Sequence, residues 1–407
     1  MKRTFFWPLL NFVVLAVWGV LLRYMQLFSL PGLKYTNLLH AHSHFAFAGW
    51  IFLAAALLIL QLGDVPARVS RNLTWASLFS AFGMLISFSI GGYNAVSITF
   101  STFFIFTTYW FSWLIVKYKV LSYLNYLSRR LIAGSLFYLC LSSLGPFAMA
   151  PVQAAGLRDT PWFQDTVYFY LHFQMNGWML LAVLGLFASV YLKSAEPMPK
   201  NIKNWLSVFI YSTLPLFLIF TLWAHPPKSL YFLAAFGAVL NLISWIKLLS
   251  YFRQVPGRYS LLLKAGLAAI TLKIVFQVSI CIPQVGNWAF SNRNLIIGYI
   301  HLLTLGGIMP VLIDQFIQKG IFTIKNMSFL NNLLLFGIVA YLLLLFIQPM
   351  FSLFKILIPS YQLWLLSVSV LLLGCGILYL LKYLKREKHK QPSCPDLQEA
   401  GSVEDAF

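Results

Sequence analysis

The chain has 407 residues, of which 60% are hydrophobic, 17% aromatic and only 10% charged, with a formal net charge of +19. A soluble domain carries roughly a quarter charged residues, so this composition excludes a water-soluble fold and leaves lipid as the solvent. The positive excess does not signal nucleic acid, because the basic residues sit in short loops and at the C-terminus rather than in one soluble module.

Taken in chain order, apolar segments long enough to cross the hydrocarbon core fall at 5–28, 38–62, 72–92, 95–117, 130–152, 166–192, 204–224, 229–251, 260–285, 294–318, 328–350 and 360–383. The first opens Met-Lys-Arg, as a signal peptide does. It then stays apolar with no small-residue cleavage site, and so reads as a retained span. The alternating polarity of a membrane β-barrel is absent. The sequence therefore predicts an all-α integral membrane protein with twelve transmembrane helices across residues 1–384. A charged tail, 385–407, reads as disordered and cytoplasmic.

Charge placement predicts the orientation. With the N-terminus in the cytoplasm, 22 of the 29 basic residues fall inside. Arg23, Lys34, Arg158, Lys228, Arg293 and Lys355 fall outside, and Lys273 is alone in mid-span. This asymmetry puts both termini in the cytoplasm and suits a bacterial cytoplasmic membrane. Lys273, with Gln277 one turn on, either faces a polar interior or snorkels to an interface. The cysteines Cys140, Cys281, Cys375 and Cys394 show no paired spacing, so neither a disulfide framework nor a zinc site follows.

Six of the seven histidines, His40, His42, His44, His172, His225 and His301, fall in the outer third of the predicted membrane, and the seventh, His389, is in the tail. Three local sequences match: His44-Phe-Ala-Phe-Ala-Gly-Trp, His172-Phe-Gln-Met-Asn-Gly-Trp and His301-Leu-Leu-Thr-Leu-Gly-Gly. Each histidine precedes a glycine by five residues, and four spans separate one occurrence from the next. The spacing predicts three four-helix units. On a helix the glycine lies about 140° from its histidine. The histidine can then face a cavity while the glycine admits a neighbouring helix or a flat ligand. Buried imidazoles from separate helices at one depth suit metal or heme ligation; hydrogen bonding to backbone or water is the other reading. His40 and His44 share a helix face and His42 points nearly opposite, so one face cannot use all three.

This pattern resembles the heme–copper oxidase subunit I superfamily, which includes cytochrome oxidases and nitric oxide reductases, and the related NnrS-type membrane proteins. The resemblance covers nearly the whole chain by topology and only the histidine stretches by motif. It implies three pseudo-symmetric four-helix units and a low-spin heme held by two histidines. His301 matches the ligand of the tenth helix, and His44, with His42 and His40 as rivals, that of the second. It also implies copper at His172 and at His225, where the family has a His-His pair. The high-spin heme histidine of the family is replaced by Tyr299, and Asn176 stands four residues after His172 where the family has tyrosine. No mid-membrane carboxylate is present to relay protons. The resemblance thus implies a heme-binding, copper-capable redox protein without a full oxygen-reducing pump. An electron-donor protein or quinol, and further membrane subunits, would be its partners. Trp50 and Trp178 either pack on a porphyrin or serve aromatic packing. Two other readings remain open on the sequence: a transporter using a histidine-lined cavity, and a non-catalytic accessory subunit.

Overall fold

The computed structural model describes residues 2–192 and 197–388. Among the described residues no strand occurs, and twelve helices are long and apolar enough to cross a membrane. They are α1 (Phe6–Tyr24), α2 (Tyr35–Leu60), α3 (Ala67–Gly91), α4 (Ala95–Lys117), α5 (Tyr126–Ala154), α6 (Pro161–Tyr191), α7 (Lys200–Ala224), α8 (Lys228–Gln254), α9 (Leu261–Ile280), α10 (Arg293–Gln318), α11 (Met327–Leu353) and α12 (Tyr361–Glu387). The chain is an integral membrane protein whose outer helices face lipid.

Local chemistry sets the helix ends. The Asn94 side chain accepts from Ser97 N–H while Asn94 N–H donates to the Ser97 hydroxyl, a capping box that starts α4. Asn125, Ser260 and Asn292 cap α5, α9 and α10. Prolines shift two boundaries from those read in the sequence. Pro161 sits in the first turn of α6 and moves its start upstream of residue 166. Pro283 holds Ile282 extended at φ −76°, ψ 117°, so α9 stops at Ile280 rather than 285 and a separate short helix, Pro283–Ser291, follows. The last helix runs on to Lys388, beyond the boundary at 384. The remainder of the tail, with His389 and Cys394, lies outside the described residues, as do Lys193 and Glu196.

Three helices form the centre. In α2, α6 and α10, 83%, 94% and 61% of the most apolar stretch is buried within the protein, against 33–50% for the other nine. The inner halves of these three touch one another pairwise. The other helices wrap them, with α1 against α12, α3 against α4 and α7 against α8.

Each central helix also widens from α to π geometry for seven residues, at Ala46–Phe52, Phe173–Met179 and Leu302–Ile308. Such turns are rare and collect at functional sites. They loosen the regular backbone ladder, so carbonyls become available to neighbours, as when Asn11 of α1 donates to the Gly49 carbonyl at 2.6 Å.

The repeated glycines lie within these turns. A Cβ on Gly177 would sit 2.3 Å from Tyr138 of α5, and one on Gly306 would sit 3.1 Å from Leu342 of α11. One on Gly49 would instead meet the Phe45 ring of its own helix. Two of the three glycines therefore serve close helix approach. Trp50 stacks on Phe12 and Trp178 packs against Phe52 and Phe111, so both belong to the aromatic core.

Candidate functional site

The three histidines of α2 divide between two sides of the helix. Successive residues turn by about 100°, so residues two apart point nearly opposite ways. His44 turns toward α3: its ring stacks on Phe88 with centroids 4.4 Å apart, and its Nε2 lies 3.1 Å from the Tyr93 hydroxyl. His40 packs edge-on against the same Tyr93. His42 turns the other way, toward α1, where its Cε1 would be 3.4 Å from a Cβ on Gly19. A side chain starting at that Cβ would be in ordinary van der Waals contact with the imidazole.

His42 and His301 face each other's helices. His42 is close enough to both His301 and Arg23 to interact electrostatically, and Arg23 likewise acts on His301. The His301 Nδ1–H donates to the Ile297 carbonyl at 2.8 Å, which fixes the ring and leaves Nε2 with its lone pair. The Leu15 carbonyl lies near the His42 ring but outside hydrogen-bond geometry, so His42 Nδ1 is buried without a partner. Both rings are surrounded by protein yet keep part of their surface accessible.

Arg23 completes this group, and sequence reasoning missed its role by counting it as a loop charge. It lies in the last turn of α1 at 8% exposure. Its Nε and Nη2 donate to the Tyr341 hydroxyl of α11 at 3.0 and 2.6 Å. The groups acting on it are tyrosines, with no carboxylate among them. Nearby at the start of α12, the Tyr361 hydroxyl and Gln362 Oε1 are buried and unpartnered. Position in the last turn of an apolar span was the one available signal for Arg23; Tyr341 carried none.

His172 stands in a different interface and is fully engaged. Its Nε2–H donates to the Thr213 carbonyl of α7 at 2.8 Å, and its Nδ1 accepts from the Asn176 amide at 2.9 Å. The Asn176 carbonyl oxygen in turn accepts from Lys273 of α9. The direction of every bond in this chain is fixed, from lysine to asparagine to histidine to backbone. Lys273 is thus 1% exposed and turned inward, which settles its orientation against snorkelling.

The residues read as copper ligands do not fit that metal. Both ring nitrogens of His172 are occupied by protein partners. His225 is exposed, in a left-handed turn at φ +51° that ends α7 before Pro226. Among the described residues no group of three His, Cys, Asp or Glu could hold a metal ion. A porphyrin does not fit at this interface. Tyr299, with Lys273 over its ring at 5.8 Å, stands at this interface. The adjoining cavity, lined by His172, Asn176, Tyr299, Tyr168 and Phe220 among others, has about 80 Å³, whereas cofactor pockets run to roughly 300 Å³ or more.

No family model and no curated protein matches this chain.

Proposed function

We propose that this protein is a heme-binding redox protein of the membrane, built on the heme–copper oxidase subunit I plan, with one low-spin heme between His42 and His301 and no oxygen-reducing centre. The observation that carries the reading is the pair itself. His301 is oriented by its Nδ1 bond with Nε2 left free, and His42 has a buried ring nitrogen that no protein group satisfies. A metal ligand is ordinarily prepared this way, with one nitrogen tied back and the other open. Arg23 would offer a buried cation to the acidic groups of a porphyrin. A bound heme would supply a one-electron redox centre. The chain's own part is to fix two imidazoles on separate rigid helices and to exclude water around them.

The threefold plan is supported by three central helices that each carry a π turn just after a repeated histidine. The positive-inside asymmetry supports cytoplasmic termini in a bacterial inner membrane. With no copper set and Tyr299 at the second heme position, the protein carries or senses electrons and does not reduce oxygen. An electron-donor protein or quinol, and neighbouring membrane subunits, follow as partners.

The test is a reduced-minus-oxidised spectrum of protein purified from heme-replete cells. A bis-histidine low-spin heme is expected, lost in His42→Ala and in His301→Ala and retained in His44→Ala. Folded wild-type protein without heme, or a His42→Ala variant with an unchanged spectrum, refutes the reading.

A further inference from the structure

At the end of the bundle where α2 begins, a pair of imidazoles meets an exposed phenol, apart from the His42–His301 group. His40 and His44 stand four residues apart and so share one face of α2, with Cβ atoms about 5–6 Å apart. The two rings are near enough to interact electrostatically. His44 is held by its stack on Phe88, and its Nε2 lies 3.1 Å from the Tyr93 hydroxyl. The Tyr93 ring meets the His40 ring edge-on with centroids 4.7 Å apart, and Tyr93 is 55% exposed. His40 makes no hydrogen bond to the described residues, and its ring nitrogens keep accessible surface.

The α3–α4 turn holds Tyr93 in place. Gly92 turns the chain at φ +62°, ψ −144°, a conformation that favours glycine. A Cβ there would lie 2.7 Å from Asn37 Oδ1 of α2, so the turn sits directly on α2. Asn37 also donates to the Ile90 carbonyl at 3.3 Å. On the far side of Tyr93, the Asn94–Ser97 capping box fixes the start of α4. Three donor side chains from two segments therefore converge at an accessible place. We infer that His40, His44 and Tyr93 form a binding site for a divalent transition-metal ion, separate from His42 and His301 and joining α2 to the α3–α4 turn.

The donor set defines the class of ion. Two histidines at i and i+4 can reach one point beside a helix, which is why that spacing binds zinc in metalloproteases. Imidazole suits zinc, copper and nickel, whereas magnesium and calcium call for carboxylate, carbonyl or water oxygens. No carboxylate acts on either ring. A phenol, rather than a third imidazole, thiol or carboxylate, completes the set. Its oxygen and His44 Nε2 are 3.1 Å apart. Donors so spaced, each about 2.0–2.1 Å from an ion, subtend about 100° at it, close to tetrahedral. With three protein donors at most, a position stays open to water.

Copper(II) is the probe, read by electron paramagnetic resonance on detergent-purified full-length protein without an affinity tag. His225→Ala and His389→Ala in the same chain remove the exposed and tail imidazoles that would bind copper elsewhere. One saturable site is expected, with nitrogen couplings from two imidazoles. Zinc is expected to displace the copper and magnesium is not. His40→Ala, and His44→Phe with its ring kept on Phe88, are each expected to weaken binding by about tenfold or more, since even an outer-shell partner of a metal site is worth roughly 10–100-fold. Tyr93→Phe is expected to weaken it several-fold. The same site is expected in a His42→Ala/His301→Ala double variant, which separates it from ligation at that pair. Should His40→Ala fail to fold, His44→Phe decides the matter. Absence of saturable binding to the folded protein overturns the inference, as does copper held by fewer than two imidazoles. So does unchanged affinity in folded His40→Ala or His44→Phe.

Discussion

Replacing Gly177 by alanine tests whether the repeated glycine exists for close helix approach. The added Cβ would lie 2.3 Å from Tyr138 Cβ and 2.6 Å from its Cγ. Ordinary contacts begin near 3.4 Å, so α5 and α6 must separate by about 1 Å or Tyr138 must leave its rotamer. Tyr138 is poorly placed to move. It is 0% exposed, stacks on Phe173 at 5.5 Å, and donates to the Ile210 carbonyl at 2.7 Å. Overpacking strain of about 2–3 kcal/mol, with about 1 kcal/mol for a weakened hydrogen bond, is offset by roughly 1 kcal/mol from alanine's better helix propensity. The expected net loss is about 2–3 kcal/mol in reversible unfolding in detergent. Gly374→Ala in α12 is the matched control, because a Cβ there meets nothing within 4 Å. It should be neutral or slightly stabilising. If the two variants unfold alike, the close-approach argument is wrong.

Two further outcomes follow from the geometry. Tyr341→Phe removes the oxygen that accepts both Arg23 hydrogen bonds, and a loss of about 1.5–3 kcal/mol is expected; Arg23→Met in the same chain should restore much of it, as chemical unfolding of the single and double variants would show. For orientation, a thiol-reactive reagent that cannot cross membranes should label Leu357→Cys, in the α11–α12 loop, in intact cells. It should label Ser122→Cys, in the α4–α5 loop, only after permeabilisation. The opposite pattern would overturn the proposed orientation.

The spans were legible because lipid imposes a composition that nothing else explains. Twelve apolar stretches gave twelve helices, and errors were confined to ends, as where Pro161 and Pro283 dictate the backbone. The histidine–glycine spacing singled out α2, α6 and α10, the three most buried spans, without showing that they are central. The different surroundings of His40, His42 and His44 were not legible. The repeat pointed to His44, yet the π turn in α2 begins two residues after His44, while in α6 and α10 it begins immediately after His172 and His301. Matching by the π turns aligns Phe45, not His44, with the other two histidines. No side-chain pattern announces a π turn, so this slip of register could not be read from the sequence. Arg23 was hidden for a related reason: a charge at a helix end reads as a loop charge until its partner, Tyr341, is brought from far along the chain.

The fates of the histidines separate on one physical question, whether the protein satisfies them itself. A polar group buried in a bilayer must find a partner within the bundle. Toward α3, His44 has Tyr93 and an aromatic wall of Phe88. Toward α7, His172 has Thr213 and Asn176, one on each nitrogen. Toward α1 and α11, His301 keeps Nε2 unused and His42 has an unpartnered buried Nδ1, beside an arginine with no carboxylate acting on it. Under the proposed function, that is where a heme would be held. At Lys273 the neighbouring imidazole is already satisfied, and the lysine itself donates to Asn176. Two histidine-bearing interfaces of one bundle thus differ in the hydrogen bonds that the protein itself makes at each one.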